Sequence, residues 1–170
     1  MPLTEGEAKL IAGYILAGYR RELTTTRKVL ESIPAGHESY SPDDRSMNTL
    51  ALAWHVASAD AFFIGSVLAG AFSAGESKMP ESIKCAADVI AWHDANIPAM
   101  LDAADAMTPA ALAADVDFFG MMTTQNVNYL DLMVKHAIHH RGQLSAYLRP
   151  MGGKVPGIYG PSGDTPMPKA

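Results

Sequence analysis

The chain has 170 residues, of which 48% are hydrophobic and 18% charged, and its formal net charge is -5 at pH 7. One domain with a core that needs no disulfides accounts for that length, and so high an apolar share excludes extended disorder. An acidic balance without any run of Lys or Arg excludes nucleic acid as a partner. No window reaches the roughly 18 uninterrupted apolar residues of a spanning helix, and MPLTEGEAKL lacks the basic-then-apolar order of an export signal, so a cytoplasmic protein without membrane contact is expected.

Four long helical segments are expected in chain order. The first runs from Thr4 to about Ser32, with Ile11, Tyr14, Ile15, Leu23, Val29 and Leu30 at spacings of three and four and Thr4 as N-cap to Glu7. IPAGHESYSPDDRS breaks the pattern with two prolines and a glycine. The second helix, about Met47 to Ala71, is apolar almost all round, as a helix with few wet faces must be. A third is expected from Pro80, favoured in a first turn because its missing N–H has no partner there, to about Met107, with Pro98 bending or interrupting it. Thr108 and Pro109 open a short helical turn, DVDFFG is irregular or extended, and the last helix spans about Thr123 to Leu148. Cys85, without CxxC or a second thiol, reads as a small residue packed in a helix.

Beyond residue 150, Gly and Pro exclude regular structure, yet Ile158 and Tyr159 in VPGIYGPSGD would gain from burial. The expected architecture is all-α: residues 1–150 form one antiparallel four-helix bundle, and 151–170 form a Gly/Pro-rich tail packed back along it.

Chemistry concentrates in KHAIHHRGQL, Lys135 to Leu144. His136 and His140, at i,i+4, sit about 40° apart on the helical wheel. They share the face of Tyr129, Met133 and Leu144, whereas His139 falls on the polar arc with Lys135 and Gln143. On the second helix His55 shares its face with Leu52, Ala59, Phe62 and Phe63, so it also points at the core. An i,i+4 pair and a third histidine from a facing helix can converge on one metal, and bundle cores are where such sites are built. Three neutral imidazoles leave a coordination position open, and with no carboxylate or thiolate in the set a dication would attract an anion, a thiolate or hydroxide. Zinc suits these ligands, and nickel or iron would accept them. On spacing alone the same three residues could equally be core histidines held by hydrogen bonds.

His93 in AWHDAN reads as a surface histidine beside Asp94, with a fourth metal ligand as the lesser alternative, and His37 lies in a loop. Arg141 is read as structural, pairing with Asp60 or with backbone carbonyls. Gly142 reads as a site of close helix approach, and Gln143 and Asn48 as candidates to orient a ligand imidazole. Phe118, Phe119, Met121 and Met122 read as core or loop anchors, with an apolar mouth near the histidines as the alternative.

HAIHHRGQLSAYLRPMGGKVPGIYGPSGD, with AWHVASAD and YSPDDRSMNTLALAWH upstream, resembles the DinB/YfiT-like superfamily, in which an HxxxHRGQ pattern on the last helix joins a histidine on the second. The resemblance implies an up-down-down-up four-helix bundle, a divalent metal held by His55, His136 and His140, and a homodimer. The superfamily includes S-transferases and an isomerase that use low-molecular-weight bacterial thiols. The resemblance therefore also implies a small-molecule thiol and an electrophile as partners, with the metal lowering the thiol pKa to present a thiolate. Two other functions stay open: a non-catalytic metal-binding stress-response bundle, and a metal-dependent hydrolase, weakened by the lack of an inward carboxylate as general base.

Overall fold

The computed structural model describes residues 1–74 and 78–167, which form five helices and one two-stranded sheet. α1 (Glu5–Glu31) begins where expected. The Thr4 hydroxyl accepts from the Glu7 N–H while the Glu7 carboxylate accepts from the Thr4 N–H, closing a capping box. α2 (Thr49–Ala69) is capped by Asn48, whose side-chain oxygen accepts from the Ala51 N–H at 2.8 Å, and it stops at Gly70, which takes a left-handed φ of 65°. By length and composition α2 could cross a membrane, but 67% of its apolar window is buried inside the protein, the mark of a core helix.

α3 (Ala86–Asp105) starts well after Pro80. The Asp88 carboxylate reaches back to accept from the N–H of Lys84 at 2.8 Å and of Cys85 at 3.1 Å, which sets the helix start at Cys85 and leaves Pro80 in the preceding turn. Cys85 is thus a cap residue, not one packed within a helix. Pro98 lies inside α3 on an exposed face, and the helix runs through it, water being available to the carbonyl that its missing N–H leaves free.

α4 (Pro109–Ala113), capped by Thr108, is the expected short turn. The next segment departs from expectation: Asp115–Phe118 (β1) pairs antiparallel with Met122–Gln125 (β2), so the last helix, α5 (Asn126–Leu148), starts later than Thr123. Phe119 and Gly120, with φ of 54° and 71°, turn the chain between the strands. Gln125 ties this hairpin to the N-terminus, its side chain accepting from the Leu3 N–H and donating to the Leu3 and Ala113 carbonyls.

The chain is therefore mostly helical, with α2 packed against both α5 and α3, and α1 completing the enclosure against the same two helices. One part of the core is built on Leu16, Ile64, Leu101, Leu130 and Met133, the other on Leu30, Leu52, Trp54, Leu144 and Leu148, and Trp92 touches both. Val155 and Ile158 of the C-terminal segment pack on the second part. Tyr159, expected to gain from burial, stays 68% exposed as a residue and anchors by its hydroxyl instead. Residues 168–170 lie outside the described residues.

Candidate metal centre

Because α2 and α5 pack side by side, His55 on the first meets His136 and His140 on the second. The i,i+4 spacing stacks the α5 pair with ring centroids 4.3 Å apart, and the His55 ring lies 4.9 Å from His136 and 4.4 Å from His140. One ring nitrogen from each histidine lies within 4.8 Å of the other two, and His55 Nε2 and His136 Nε2 are 3.2 Å apart. All three side chains are half-buried.

The tautomer of His140 follows from its partner. Its Nδ1 is 2.7 Å from Gln143 Oε1, an atom that can only accept, so Nδ1 carries the proton and Nε2 keeps the lone pair. Gln143 thus orients an imidazole of the trio, whereas Asn48 caps α2. Burial, helped by His140, His55 and His139, pushes His136 down to about 4. His55 is lowered by burial and then by His140. His140 is lowered chiefly by burial, against an opposing pull from the Gln143 hydrogen bond. Neutral imidazoles with available lone pairs result at pH 7.

Among the described residues this trio is the only group of His, Cys, Asp and Glu close enough to share a metal ion, and no carboxylate belongs to it. Tetrahedral nitrogen ligands about 2.0–2.1 Å from zinc lie about 3.3 Å from one another. The 3.2 Å between His55 Nε2 and His136 Nε2, bridged by a hydrogen bond, is close to that spacing, and the third nitrogen lies within 4.8 Å of both, so the donor set fits a divalent metal.

The neighbouring residues divide. His139 is exposed at the rim, its ring 4.8 Å from that of His140. His93, expected at the surface beside Asp94, is buried instead, with Nε2 3.1 Å from Asp60 Oδ2 and apart from the trio. The signal existed, since Val89, His93, Ile97 and Leu101 make one buried stripe at helical spacing, while Asp94 pairs with Arg27. Arg141 is buried and structural as expected and reaches a backbone carbonyl, that of Glu22 at 3.4 Å, but its ion partner is the Glu22 carboxylate at 2.6 Å rather than Asp60. It also donates to the hydroxyls of Tyr159 at 2.6 Å and Thr26 at 3.3 Å. Gly142 is exposed with nothing near the place of its missing Cβ, so it serves no close helix approach.

Beside His55 and His136 opens a cleft of about 520 Å³. Phe118 and Phe119 line it, in keeping with the apolar-mouth alternative, while Met121 and Met122 are exposed. Ser58 and Leu132, also in its wall, carried no signal in the sequence, because the cleft exists only once the hairpin folds against α2 and α5.

Two relatives come from Bacillus subtilis (strain 168). The uncharacterized protein YrdA is 30% identical over 152 residues, spanning 88% of this chain and 88% of its own length. The uncharacterized protein YjoA is 26% identical over 141 residues, spanning 81% and 89%. Among solved structures, a DinB-like protein from Bacillus cereus superposes with a TM-score of 0.70 at 26% identity, covering 85% of this chain and 95% of its own. The DinB-like YjoA structure superposes at 0.69 with 23% identity, covering 83% and 94%. The DinB family model matches residues 12–167, and this chain belongs to the DinB family.

Proposed function

We propose that this protein is a divalent-metal-dependent thiol S-transferase. The observation that carries the reading is the convergence of three neutral imidazoles, free of any carboxylate, at the end of an apolar cleft. His55, His136 and His140 would hold the metal, with zinc or nickel best suited to imidazole and iron acceptable. When bound, such a dication lowers the pKa of a small-molecule thiol so that it reacts as a thiolate near neutral pH. The chain supplies uncharged donors that leave the cation's charge undiminished, and Gln143 holds the His140 ring in place.

A hydrolase reading is weaker, because Asp60, the one carboxylate on α2, is buried against His93 and unavailable as a base. A cytoplasmic homodimer with the up-down-down-up helix path completes the proposal. The exposed Leu10 and Tyr14, at 74% and 80%, supply α1 with an apolar stripe for the second copy.

Metal content per chain, measured by mass spectrometry on untagged protein beside His140→Ala, tests the site, and metal-dependent conjugation of a cysteine-derived thiol to a bimane electrophile tests the reaction. About one equivalent of zinc or nickel, lost in the variant, and conjugation that follows the metal are expected. A wild type that stays metal-free in excess zinc and nickel overturns the site. Metal-loaded protein that leaves conjugation at the uncatalysed rate overturns the transferase in favour of a non-catalytic metal-binding bundle.

A further inference from the structure

The cleft beside the histidines has a composition that restricts what can enter it. Phe62 and Phe63 come from α2, Phe118 and Phe119 from the hairpin and Leu132 from α5, and among the described residues no Asp, Glu, Lys or Arg side chain borders the space. An ion entering it would lose hydration and meet no opposite charge among these residues. The rings run on from the histidines without a break. Phe63 lies 5.6 Å from the His136 ring, Phe118 lies 6.4 Å from Phe63 and nearly parallel to it at 18°, and Phe119 lies 5.2 Å from Phe118. Such faces and edges receive another aromatic ring by offset or T-shaped contact. A cavity of about 150 Å³ suffices for benzene, so about 520 Å³ admits a two-ring body.

The backbone adds a second observation. Phe119 lines the cleft from a left-handed conformation, φ 54°, that costs a bulky residue about 1 kcal/mol or more. Packing on Phe72 and Phe118 offsets that cost, yet the residue stays 46% exposed at the cleft. A ligand lying across Phe119 would bury apolar surface that the fold leaves open. His140, with Gln143 and the exposed His139, is not part of this wall, so the trio is apolar on its His55–His136 side and polar on its His140 side.

We propose that the cleft binds the uncharged aromatic body of a small-molecule ligand, with the far end of that ligand placed beside His55 and His136. Identifying the ligand as the electrophile rests on the transferase reading, whereas occupancy of the cleft does not.

Two dyes with the same ring systems test this: N-phenyl-1-naphthylamine, which is neutral, and 8-anilinonaphthalene-1-sulfonate, which carries one negative charge. Each is titrated by fluorescence into the full chain, both chelator-treated and zinc-loaded, for the wild type, Ala59→Phe, which fills the cleft, and Phe119→Ser, at its exposed mouth. One neutral dye per chain is expected with or without zinc, bound about tenfold or more tightly than the sulfonate by the chelator-treated protein. Ala59→Phe should weaken it about tenfold and Phe119→Ser about threefold. Equal affinity for the two dyes overturns the proposal, as does neutral-dye binding undiminished in both variants, which would place the dye elsewhere. Circular dichroism confirms the fold of each variant. If Ala59→Phe does not fold, Phe119→Ser decides, its exposed position sparing the core. Zinc content of the same samples separates the two readings: dye bound without zinc uptake sinks the metal site alone, and zinc taken up without dye binding sinks the cleft alone.

Discussion

Two clusters of polar side chains sit on the same pair of helices, α2 and α5, and are built on opposite terms. Around Asp60 and Arg141 the groups are buried beside opposite charges or hydrogen-bond partners: Asp60 Oδ2 meets His93, and Arg141 meets Glu22, Thr26 and Tyr159. Burial still raises the Asp60 pKa against the pull of His93. Asp60 also faces the buried Tyr19 hydroxyl, which burial first and then this carboxylate push upward. Around His55 three like groups face one another with no acid among them, and every neighbour in that trio pushes protonation down. A buried polar group kept for the fold comes with its partner. Like groups gathered at the edge of a cleft and held neutral, bonded to one another and to Gln143 but to no opposite charge, are the pattern of a candidate site rather than of a structural pair.

The largest effects should separate the clusters. His140→Ala should cost far more zinc affinity than the 10–100-fold typical of a supporting residue, while shifting the urea stability of the metal-free protein by less than about 1 kcal/mol, because the ring is half-buried and unpaired with charge. Arg141→Met should do the reverse. It leaves Glu22 facing a buried apolar side chain, costing about 3 kcal/mol, at the low end for a broken buried pair because Glu22 keeps 19% exposure, and zinc stoichiometry should stay at the wild-type value. Zinc lost in Arg141→Met while the protein remains folded would break the distinction.

Two smaller effects sharpen the histidine side. Gln143→Ala frees the His140 ring and should weaken zinc by about 10–100-fold, read by competition with a chromogenic chelator, while Gln143→Glu, which still accepts from Nδ1, should restore most of it. Acid acts next. His136 has a folded pKa of about 4 against an ordinary value of 6.5, so between those values the unfolded chain binds the extra proton and the folded chain does not. Metal-free protein should therefore be fully stabilised by this group above about pH 6.5 and lose that stability as pH falls toward 4, by about 1 kcal/mol once solvent screening of a half-exposed ring is allowed for. Urea midpoints at stepped pH in a chelating buffer check it. A midpoint that rose on acidification through that window would place the imidazoles as cations in the folded state.

Local chemistry was legible in the sequence and distant chemistry was not. The capping box of α1 needs only Thr4 and Glu7, and the i,i+4 pair on α5 needs only the helix that carries it, so both could be read directly. His55 could be joined to that pair because its own face was apolar. The start of α3 was hidden because the groups at its cap are satisfied by Asp88 from inside the helix, with no Ser, Thr, Asn or Asp at the cap itself. The hairpin was hidden because Phe119 takes a conformation its side chain disfavours and because Gln125 finds its partner at Leu3, 122 positions away. Arg141 was read correctly as structural, but Glu22 lies on α1, and nothing in the last helix points to it. The cleft is a tertiary object in the same sense, with walls drawn from two helices and a hairpin.

The smallest predicted effect tests whether the two clusters are independent. The Tyr159 hydroxyl accepts from Arg141 at 2.6 Å and donates to Glu22 at 2.9 Å, and its ring lies 5.4 Å from the guanidinium. Tyr159→Phe keeps the ring and removes both hydrogen bonds, while Arg141 retains Glu22 and Thr26. Because Tyr159 is 68% exposed, water replaces the lost hydroxyl, and the cost should be about 0.5–1 kcal/mol by urea denaturation. Tyr159→Ala also loses the ring and should cost about 0.5 kcal/mol more. Zinc affinity should not move in either variant, since Arg141 and His140 are sequence neighbours on different faces of α5, one buried beside α1 and the other half-buried beside Gln143. A drop in zinc affinity with Tyr159→Phe would mean that α5 transmits the state of the ionic cluster to the histidines, and the two regions would have to be treated as one coupled site.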